Sequence, residues 1–315
     1  MPAATELKKQ LSAAAAEGLL SHAVLIEGEQ GVGKRELALW LCKALLCKNQ
    51  NPPCGHCSVC KKIDGGNHPD VEIYDGSGGA RSFHIESVRE IKDSLWLAPN
   101  ESDIKIYVLL EIQNMTAEAQ NALLKSLEEP PEHARFIMTC QNSGMLLDTV
   151  ISRCTVYKLE PFSDGECAVR LKSALPEISD EDAALLAAAY AGNLGRASSA
   201  FQEGRLPLAQ LAAKTPELLR GAKSYDLAAG LAAAAGDRAA LCEYIEIFGN
   251  ITARCGINFA AGKPAPLNLK IKPAQAVKIM EILNRGKEAA LQNCMPELIQ
   301  SWLCAQLSAV LGGSL

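Results

Sequence analysis

Short apolar runs alternate with amphipathic segments between residue 23 and about residue 160. In the amphipathic segments apolar residues recur every three to four positions, whereas the apolar runs are continuous. This alternation is typical of a parallel sheet covered by helices on both faces. The predicted strands are Ala23–Glu27, Val71–Tyr74, Ile106–Glu111, Arg135–Cys140 and Thr155–Leu159. Helices are predicted between them, including Ile85–Leu95 and Thr116–Glu128, so residues 1–160 are predicted to form an α/β domain.

After Pro161 only helical patterns remain. Ser163 and Ser179 are each followed closely by acidic residues, which is the pattern of a helix N-cap, and a third helix is predicted to start after Asn193. These features predict a small all-helical domain over residues 161–205.

Residues 206–315 predict a further all-helical domain. They are rich in Ala and Leu and contain two long amphipathic stretches, Asp237–Ile257 and Pro273–Leu291. The segments 204–208 and 261–273 contain glycine and proline and are predicted linkers. A chain of 315 residues is long enough for this α/β-then-all-α division, since each domain would bury its own core.

Composition narrows the classes of function. The chain has no stretch of about 18 uncharged apolar residues, and Glu6 and Glu17 interrupt the N-terminal helical pattern, so we predict a cytoplasmic protein without a membrane span. The net charge of −5 provides no overall basic field to hold nucleic acid. Of the 12 cysteines, four cluster and the others are scattered, which favours a reducing compartment.

The clustered cysteines have the spacing of metal ligands. They are Cys47, Cys54, Cys57 and Cys60. They lie in a predicted loop with prolines and a glycine, and such turns let Cys-x-x-Cys pairs surround a tetrahedral ion. We predict one structural zinc ion that stabilises residues 47–60, with a redox role of Cys54 and Cys57 as the alternative. Two nearby histidines are not predicted ligands: His56 is expected to face solvent, and His68 to make a local hydrogen bond.

A glycine-rich loop separates the first predicted strand from a helix predicted over Glu36–Leu46. Its motif residues are Gly28, Gly31, Gly33 and Lys34. The glycines permit positive φ and close backbone approach to an anion, and the lysine adds a point charge. We predict a phosphate-binding loop, with an ordinary glycine turn as the alternative, and both ATP and ADP are candidate ligands.

The loop lacks two contacts that hold magnesium. Arg35 follows Lys34 where a working motif has Ser or Thr, and Leu110 stands where a metal-holding Asp is expected, so only Glu111 remains. Without both contacts the ion that bridges the terminal phosphates is not held. We therefore predict a nucleotide site, functional or vestigial, that does not hydrolyse ATP.

Several segments occur together in a characteristic order. They are the phosphate loop, the cysteine insertion after its helix, residues 67–71 (Asn-His-Pro-Asp-Val), residues 119–125 with 127–131, and residues 152–154 (Ser-Arg-Cys). This set resembles the bacterial clamp-loader subunits of the DNA polymerase III holoenzyme, which belong to the AAA+ group. Over the helical remainder the resemblance to the family's lid and collar domains is one of composition and length, and residues 192–197 resemble its sensor 2 region.

The resemblance implies roles for three basic residues. Arg153 matches an arginine finger that reaches ATP held by a neighbouring subunit; the alternative is an ordinary surface arginine. Arg196 matches a residue that contacts a γ-phosphate, and pairing with an acidic neighbour is an equal alternative. Lys125 belongs to a polar side of the helix Thr116–Glu128 that faces duplex DNA in the family; phosphate contact and simple solvation remain open for it.

The same helix has two predicted faces. Ala119, Ala122, Leu123 and Leu127 recur at helical spacing and predict a buried face. Gln120 and Asn121, like Lys125, are expected to lie on other, polar faces of the helix.

Within the resembled family, the missing magnesium contacts favour the delta prime type, which keeps the finger but usually has a degraded nucleotide site. The implied function is that of a stator-like member of a five-subunit ring with gamma/tau and delta subunits. This ring loads the sliding clamp on primed DNA during replication, as part of a DNA polymerase holoenzyme. The alternatives are a gamma/tau-type ATPase of the ring, distinguished by ATP turnover, and a free-standing zinc-stabilised nucleotide-binding regulator, distinguished by co-purification.

Overall fold

The computed structural model describes residues 3–77, 83, 85–220, 224–262, 267, 269 and 271–311. The chain forms two compact units, Met1–Pro161 and Phe162–Leu315. No helix within the described ranges has both the length and the apolar character needed to cross a membrane. The further division of the helical part into residues 161–205 and 206–315 stays a prediction.

The first unit contains the predicted parallel sheet. Its strands are β1 Ala23–Glu27, β2 Val71–Asp75, β3 Lys105–Leu110, β4 Ala134–Cys140 and β5 Thr155–Lys158. They are ordered β2-β3-β4-β1-β5, and every neighbouring pair is parallel. The predicted strand ends are correct to within one residue. Because all strands run the same way, the residues that follow them meet at one edge of the sheet.

Helices cover both faces of this sheet. They are α1 Ala3–Ala16, α2 Lys34–Leu46, α3 Ser58–Asp64, α4 Ile85–Leu95, α5 Ala117–Glu128 and α6 Asp148–Ile151. Successive strand residues point to opposite faces. Val24 and Ile26 therefore pack in a core with α1 and α2, whereas Leu25 packs in a second core with α4 and α5. The two cores confirm the predicted layer arrangement.

A buried carboxylate ties the segment after α4 to the sheet. The Asp70 side chain accepts hydrogen bonds from the backbone N–H groups of Asn100 (2.5 Å), Glu101 (2.8 Å) and Ser102 (2.8 Å). Burial alone would raise the pKa of Asp70, but these N–H donors outweigh it and the pKa is lowered. The predicted local hydrogen bond of His68 is confirmed, since its Nδ1 accepts from the Asp70 N–H at 3.1 Å.

In the described residues of the second unit the regular elements are all helices. Its helices are α7 Asp164–Ala174, α8 Asp180–Ala189, α9 Leu194–Gln202, α10 Leu206–Arg220, α11 Ser224–Ala234, α12 Arg238–Ala260, α13 Pro273–Leu291 and α14 Pro296–Leu311. The predicted N-caps are confirmed, because Ser163, Ser179 and Asn193 accept hydrogen bonds from N–H groups three residues later. Apolar residues from all eight helices share one hydrophobic core.

The linker predicted at 204–208 is partly wrong. Helix α10 begins at Leu206, so only Glu203, Gly204 and Arg205 connect it to α9. Pro207 lies in the first helical turn, where its missing N–H has no intrahelical partner to lose. The second predicted linker, 261–273, lies partly outside the described residues.

We expect Asp70→Asn to lower the free energy of unfolding by about 2 kcal/mol or more at pH 7, because an amide N–H₂ replaces an acceptor facing several backbone donors. Since the pKa of Asp70 is lowered by folding, its contribution is complete above the unfolded-state value and lost as pH falls through the folded-state value. Urea unfolding at pH 7 and in acid tests this, and the difference between the two proteins should narrow in acid.

Asp103→Asn is the matched control, since the Asp103 side chain is 84% exposed. An Asp70→Asn protein that unfolds at the same urea concentration as this control at pH 7 would contradict the assignment.

Candidate nucleotide and metal sites

The phosphate loop follows β1 and ends where α2 begins at Lys34. Gly33 has φ of 96°, a left-handed conformation that side chains disfavour, and Gly31 is similar at 88°. A Cβ atom at Gly28 would lie 2.6 Å from the carbonyl oxygen of Leu159. The three glycines are thus required by the loop's own conformation and packing, whatever the loop binds.

The predicted Lys34 and Glu111 meet at the carboxyl edge of the sheet. Lys34 is buried, and its Nζ donates to the carbonyl oxygens of Gly28 (2.8 Å) and Glu29 (3.0 Å). The same Nζ lies 3.1 Å from Glu111 Oε1. The lysine therefore already balances a carboxylate and two carbonyl groups at the site.

Three polar residues that sequence reasoning missed position Glu111. Its backbone N–H donates to Thr139 Oγ1 (2.9 Å), and its carboxylate accepts from Gln113 Nε2 (2.7 Å) and Gln141 Nε2 (3.3 Å). Gln141 follows β4 directly, and Gln113 follows β3 after two residues. Their positions just after predicted strands are the sequence feature that could have identified both glutamines as site residues. Glu111 itself has φ of 56°, just outside the strand in which it was predicted.

Two thiols at strand ends of the first unit, Cys140 at the end of β4 and Cys154 just before β5, have low reactivity. Burial raises the pKa of Cys140 and of Cys154 to about 12. Both remain protonated at neutral pH and do not serve as nucleophiles.

The two positions that would hold magnesium do not fit that ion. Arg35 Nη1 lies 2.6 Å from Asp75 Oδ2, and Leu110 is buried. Magnesium prefers oxygen ligands in octahedral geometry. A guanidinium and an aliphatic side chain offer none, so the donor set disagrees with the magnesium that a working phosphate loop requires.

The four predicted cysteine ligands do come together. All their Sγ atoms lie within 4.8 Å of one another, with 3.9 Å between Cys47 and Cys57 and 4.0 Å between Cys54 and Cys60. Four sulfurs around one tetrahedral ion at about 2.3 Å are separated by about 3.8 Å. The cluster could therefore hold a metal ion, and its dimensions are compatible with zinc.

The prediction that all four cysteines lie in a loop is wrong. Cys47 follows the last residue of α2, Cys57 is the N-cap of α3, and Cys60 is buried within α3. Cys57 Sγ accepts a hydrogen bond from the Cys60 N–H at 3.4 Å. Helix α3 has seven residues, too few for a clear periodic pattern, which is why the sequence did not reveal it.

The surroundings of the cluster shift the pKa values of its thiols in opposite directions. The backbone N–H of His56 is the main cause that lowers the pKa of Cys54 to about 5, and Asn49 Nδ2 also donates to its sulfur at 3.0 Å. Burial raises the pKa of Cys60 to about 12. A bound cation favours the thiolate form of every ligand. His56 is exposed, as predicted.

Arg153 lies in the turn between α6 and β5. Its Nη1 donates to the carbonyl oxygen of Thr149 at 2.6 Å, and its Nη2 pairs with Glu128, the last residue of α5. Its Nε is buried and has no hydrogen-bond partner in the described part of the chain. The arginine is thus held at the end of α5 by one carboxylate.

Arg196 belongs to the second unit and has an acidic partner there. Its Nη1 donates to Glu246 of α12, and its guanidinium lies 5.4 Å from the ring centroid of Tyr190. The pairing with an acidic neighbour is therefore observed, whereas contact with a γ-phosphate stays a prediction.

The predicted polar side of α5 needs one correction. Gln120 is buried; its Oε1 accepts from the Leu147 N–H at 3.0 Å and its Nε2 donates to the Met115 carbonyl at 3.4 Å. It therefore joins α5 to the segment before α6. Asn121 and Lys125 are exposed, as expected for a solvated face.

Comparison with known proteins gives consistent matches. A family model described as DNA polymerase III, delta subunit, matches residues 3–163. DNA polymerase III subunit gamma of Buchnera aphidicola (subspecies Acyrthosiphon pisum) is 38% identical over 157 residues, which are 49% of this chain and 43% of that protein. DNA polymerase III subunit delta' of Bacillus subtilis is 37% identical over 154 residues, 48% of this chain and 46% of that protein. The chain thus spans less than half the length of these relatives.

A solved structure shows the same fold over a longer range. It is that of a DNA polymerase III, gamma subunit-related protein from Thermotoga maritima, with a TM-score of 0.53 over 96% of this chain and 99% of that chain. The sequence identity is 18%, so the likeness concerns the fold alone.

We expect Cys60→Ser to abolish stoichiometric metal binding and to lower the thermal unfolding midpoint by about 4 °C or more, because metal binding contributes folding energy. Elemental analysis and calorimetry of the purified chain measure both effects. Cys294→Ser, which alters an exposed cysteine outside the cluster, should change neither. A metal-depleted chain that melts at the same temperature as the metal-loaded chain would refute the structural role.

Proposed function

The chain belongs to the DNA polymerase III delta-subunit family of AAA+ clamp-loader proteins, and on that premise we propose that it works as a delta prime-type subunit. In this role it occupies a five-subunit ring with gamma/tau and delta subunits and supplies Arg153 to a neighbouring ATPase subunit. The ring loads the sliding clamp on primed DNA. The observation that carries the proposal is that both magnesium contacts are missing while a partly exposed arginine, Arg153, is present at the finger position.

The geometry of Arg153 supports its use by another subunit. The side chains of Arg153 and Glu128 are 30% and 44% exposed, and ion pairs of this kind stabilise a fold by about 0–1 kcal/mol. Exchanging Glu128 for a phosphate therefore costs little. Guanidinium–phosphate hydrogen bonds are charge-assisted and bidentate, and a guanidinium stays charged as it approaches a nucleotide. Arg153 is thus suited to stabilise negative charge on a transferring phosphoryl group.

The phosphate loop of this chain has a different task in the proposal. Arg35 and Leu110 leave no oxygen ligands for magnesium at the two motif positions. The ion bridges the β- and γ-phosphates and neutralises the charge that develops during transfer. The chain therefore assists ATP hydrolysis in a neighbour without carrying it out at its own loop.

The cysteine cluster and the helical unit complete the assignment. An all-sulfur tetrahedral set suits zinc, which leaves no open position and so stabilises residues 47–60 rather than taking part in catalysis. In the same proposal residues 161–205 serve as the lid, with Arg196 as its sensor 2 residue, and residues 206–315 as the collar that joins subunits.

We expect Arg153→Ala to reduce the DNA-stimulated ATPase of a reconstituted clamp-loader complex by about tenfold or more, since arginine fingers supplied in trans accelerate comparable reactions by roughly 10³-fold or more. The complex should still assemble, because the one acidic partner of Arg153 in the described part of the chain is the partly exposed Glu128. Steady-state phosphate release measures the rate, and size-exclusion chromatography measures assembly.

Arg170→Ala provides the control for this experiment. Arg170 is likewise a partly exposed arginine paired with a glutamate, Glu166, but in α7. Normal ATPase in an assembled Arg153→Ala complex would remove the basis of the delta prime assignment.

A gamma/tau-type ATPase remains the second candidate because Lys34 and Glu111 are both present and 3.1 Å apart. The delta prime assignment predicts that the purified chain with magnesium and ATP releases phosphate no faster than its Lys34→Ala variant. A rate in the unaltered chain that depends on both magnesium and Lys34 would instead support the ATPase candidate.

A further inference from the structure

One ion pair joins the two positions at which the magnesium contacts are missing. Arg35 is the second residue of α2, at the place of the motif hydroxyl. Its partner Asp75 is the last residue of β2, and the parallel register places Asp75 beside Leu110, the position of the missing aspartate. The Arg35 guanidinium thus extends from the phosphate loop to the end of the strand pair β2–β3.

The substitution keeps a cation at the site. Arg35 supplies a positive charge without any need for oxygen ligands, and in this structure the ionised Asp75 balances that charge. A guanidinium also presents fixed donors that match phosphate oxygens bidentately, and it cannot be deprotonated in proteins.

Asp75 acts as a fixed anchor for this cation. Its Oδ1 accepts from the backbone N–H (2.9 Å) and hydroxyl (2.6 Å) of Ser77, which leaves Oδ2 for Arg35. Burial would raise the pKa of Asp75, but Ser77 and Arg35 together lower it, so the carboxylate stays ionised at neutral pH.

The guanidinium retains unused donors. The Arg35 side chain is 52% exposed, and in the part of the chain that the structure describes its one hydrogen bond is the bond from Nη1 to Asp75. Lys34 next to it supplies a second cation to the loop. Two adjacent cations, each paired with a carboxylate of the chain, therefore lie at the N-terminus of the helix that follows the glycine-rich loop.

We propose that this loop binds a nucleoside triphosphate without magnesium, with the Arg35 guanidinium in the electrostatic position of the divalent cation. The bound nucleotide is then a structural ligand, held and not hydrolysed. This inference concerns the chain's own loop and does not depend on Arg153.

Calorimetric titration of the zinc-loaded full chain with ATP tests the proposal. The magnesium-free arm uses metal-depleted buffer rather than a chelator, because a chelator would also strip the cysteine cluster. We expect dissociation constants with and without millimolar magnesium to agree within about threefold, and Arg35→Ala to weaken binding by about tenfold or more in both arms. Arg35→Lys, which keeps the charge but loses the planar fork, should bind with intermediate affinity.

Arg135→Ala is the charge-matched control. Arg135 is in β4 near its amino end, at the opposite edge of the sheet from the loop, so its removal should not change binding. Circular dichroism and metal content establish whether each variant is folded. If Arg35→Ala does not fold, the comparison is made with Arg35→Lys.

Three results would overturn the proposal: no ATP binding in either arm, binding only with magnesium, or unchanged binding in folded Arg35 variants. Because this titration uses the isolated chain and the Arg153 experiment reports on a neighbour's ATPase, either idea can fail without the other.

Discussion

Parallel pairing on both sides of β1 is the constraint on which the first unit depends. Because β1 lies between β4 and β5 and all strands share one direction, the phosphate loop emerges between two other strand ends at the carboxyl edge. Residues that are far apart in sequence then lie within hydrogen-bonding distance, as for Lys34 and Glu111. The same constraint places Asp75 beside Leu110. The chemistry of the site follows from strand order as much as from the motif.

Features encoded in neighbouring residues were predictable, and features that depend on distant contacts were not. The strands and the N-caps Ser163, Ser179 and Asn193 follow from local patterns and match the structure. Gln120 was expected on a polar face but is buried, because its amide joins two segments that are separated by more than twenty residues. The contacts of Asp70 with residues 100–102 are equally distant and were not foreseen.

In the candidate site, too, local sequence features were predictable and contacts between distant segments were not. Spacing alone predicted that the four cysteines meet, since the ligands lie within fourteen residues of sequence. It did not predict helix α3, which supplies Cys60 from its first turn and uses Cys57 as its cap. The motif positions of Arg35 and Leu110 predicted a loss of magnesium contacts, but the ion pair of Arg35 with Asp75 becomes visible only when β2 and β3 are paired.

The close approach of Gly28 to Leu159 has a consequence for how such loops evolve. Any side chain at this position would collide with a backbone carbonyl, so purifying selection on folding alone is sufficient to preserve the glycine. The positive φ of Gly33 has the same effect. A lineage that abandons catalysis can therefore keep an intact-looking glycine signature indefinitely. The position after the lysine differs, because Arg35 is helical and its side chain is 52% exposed, so no comparable steric barrier fixes the residue there.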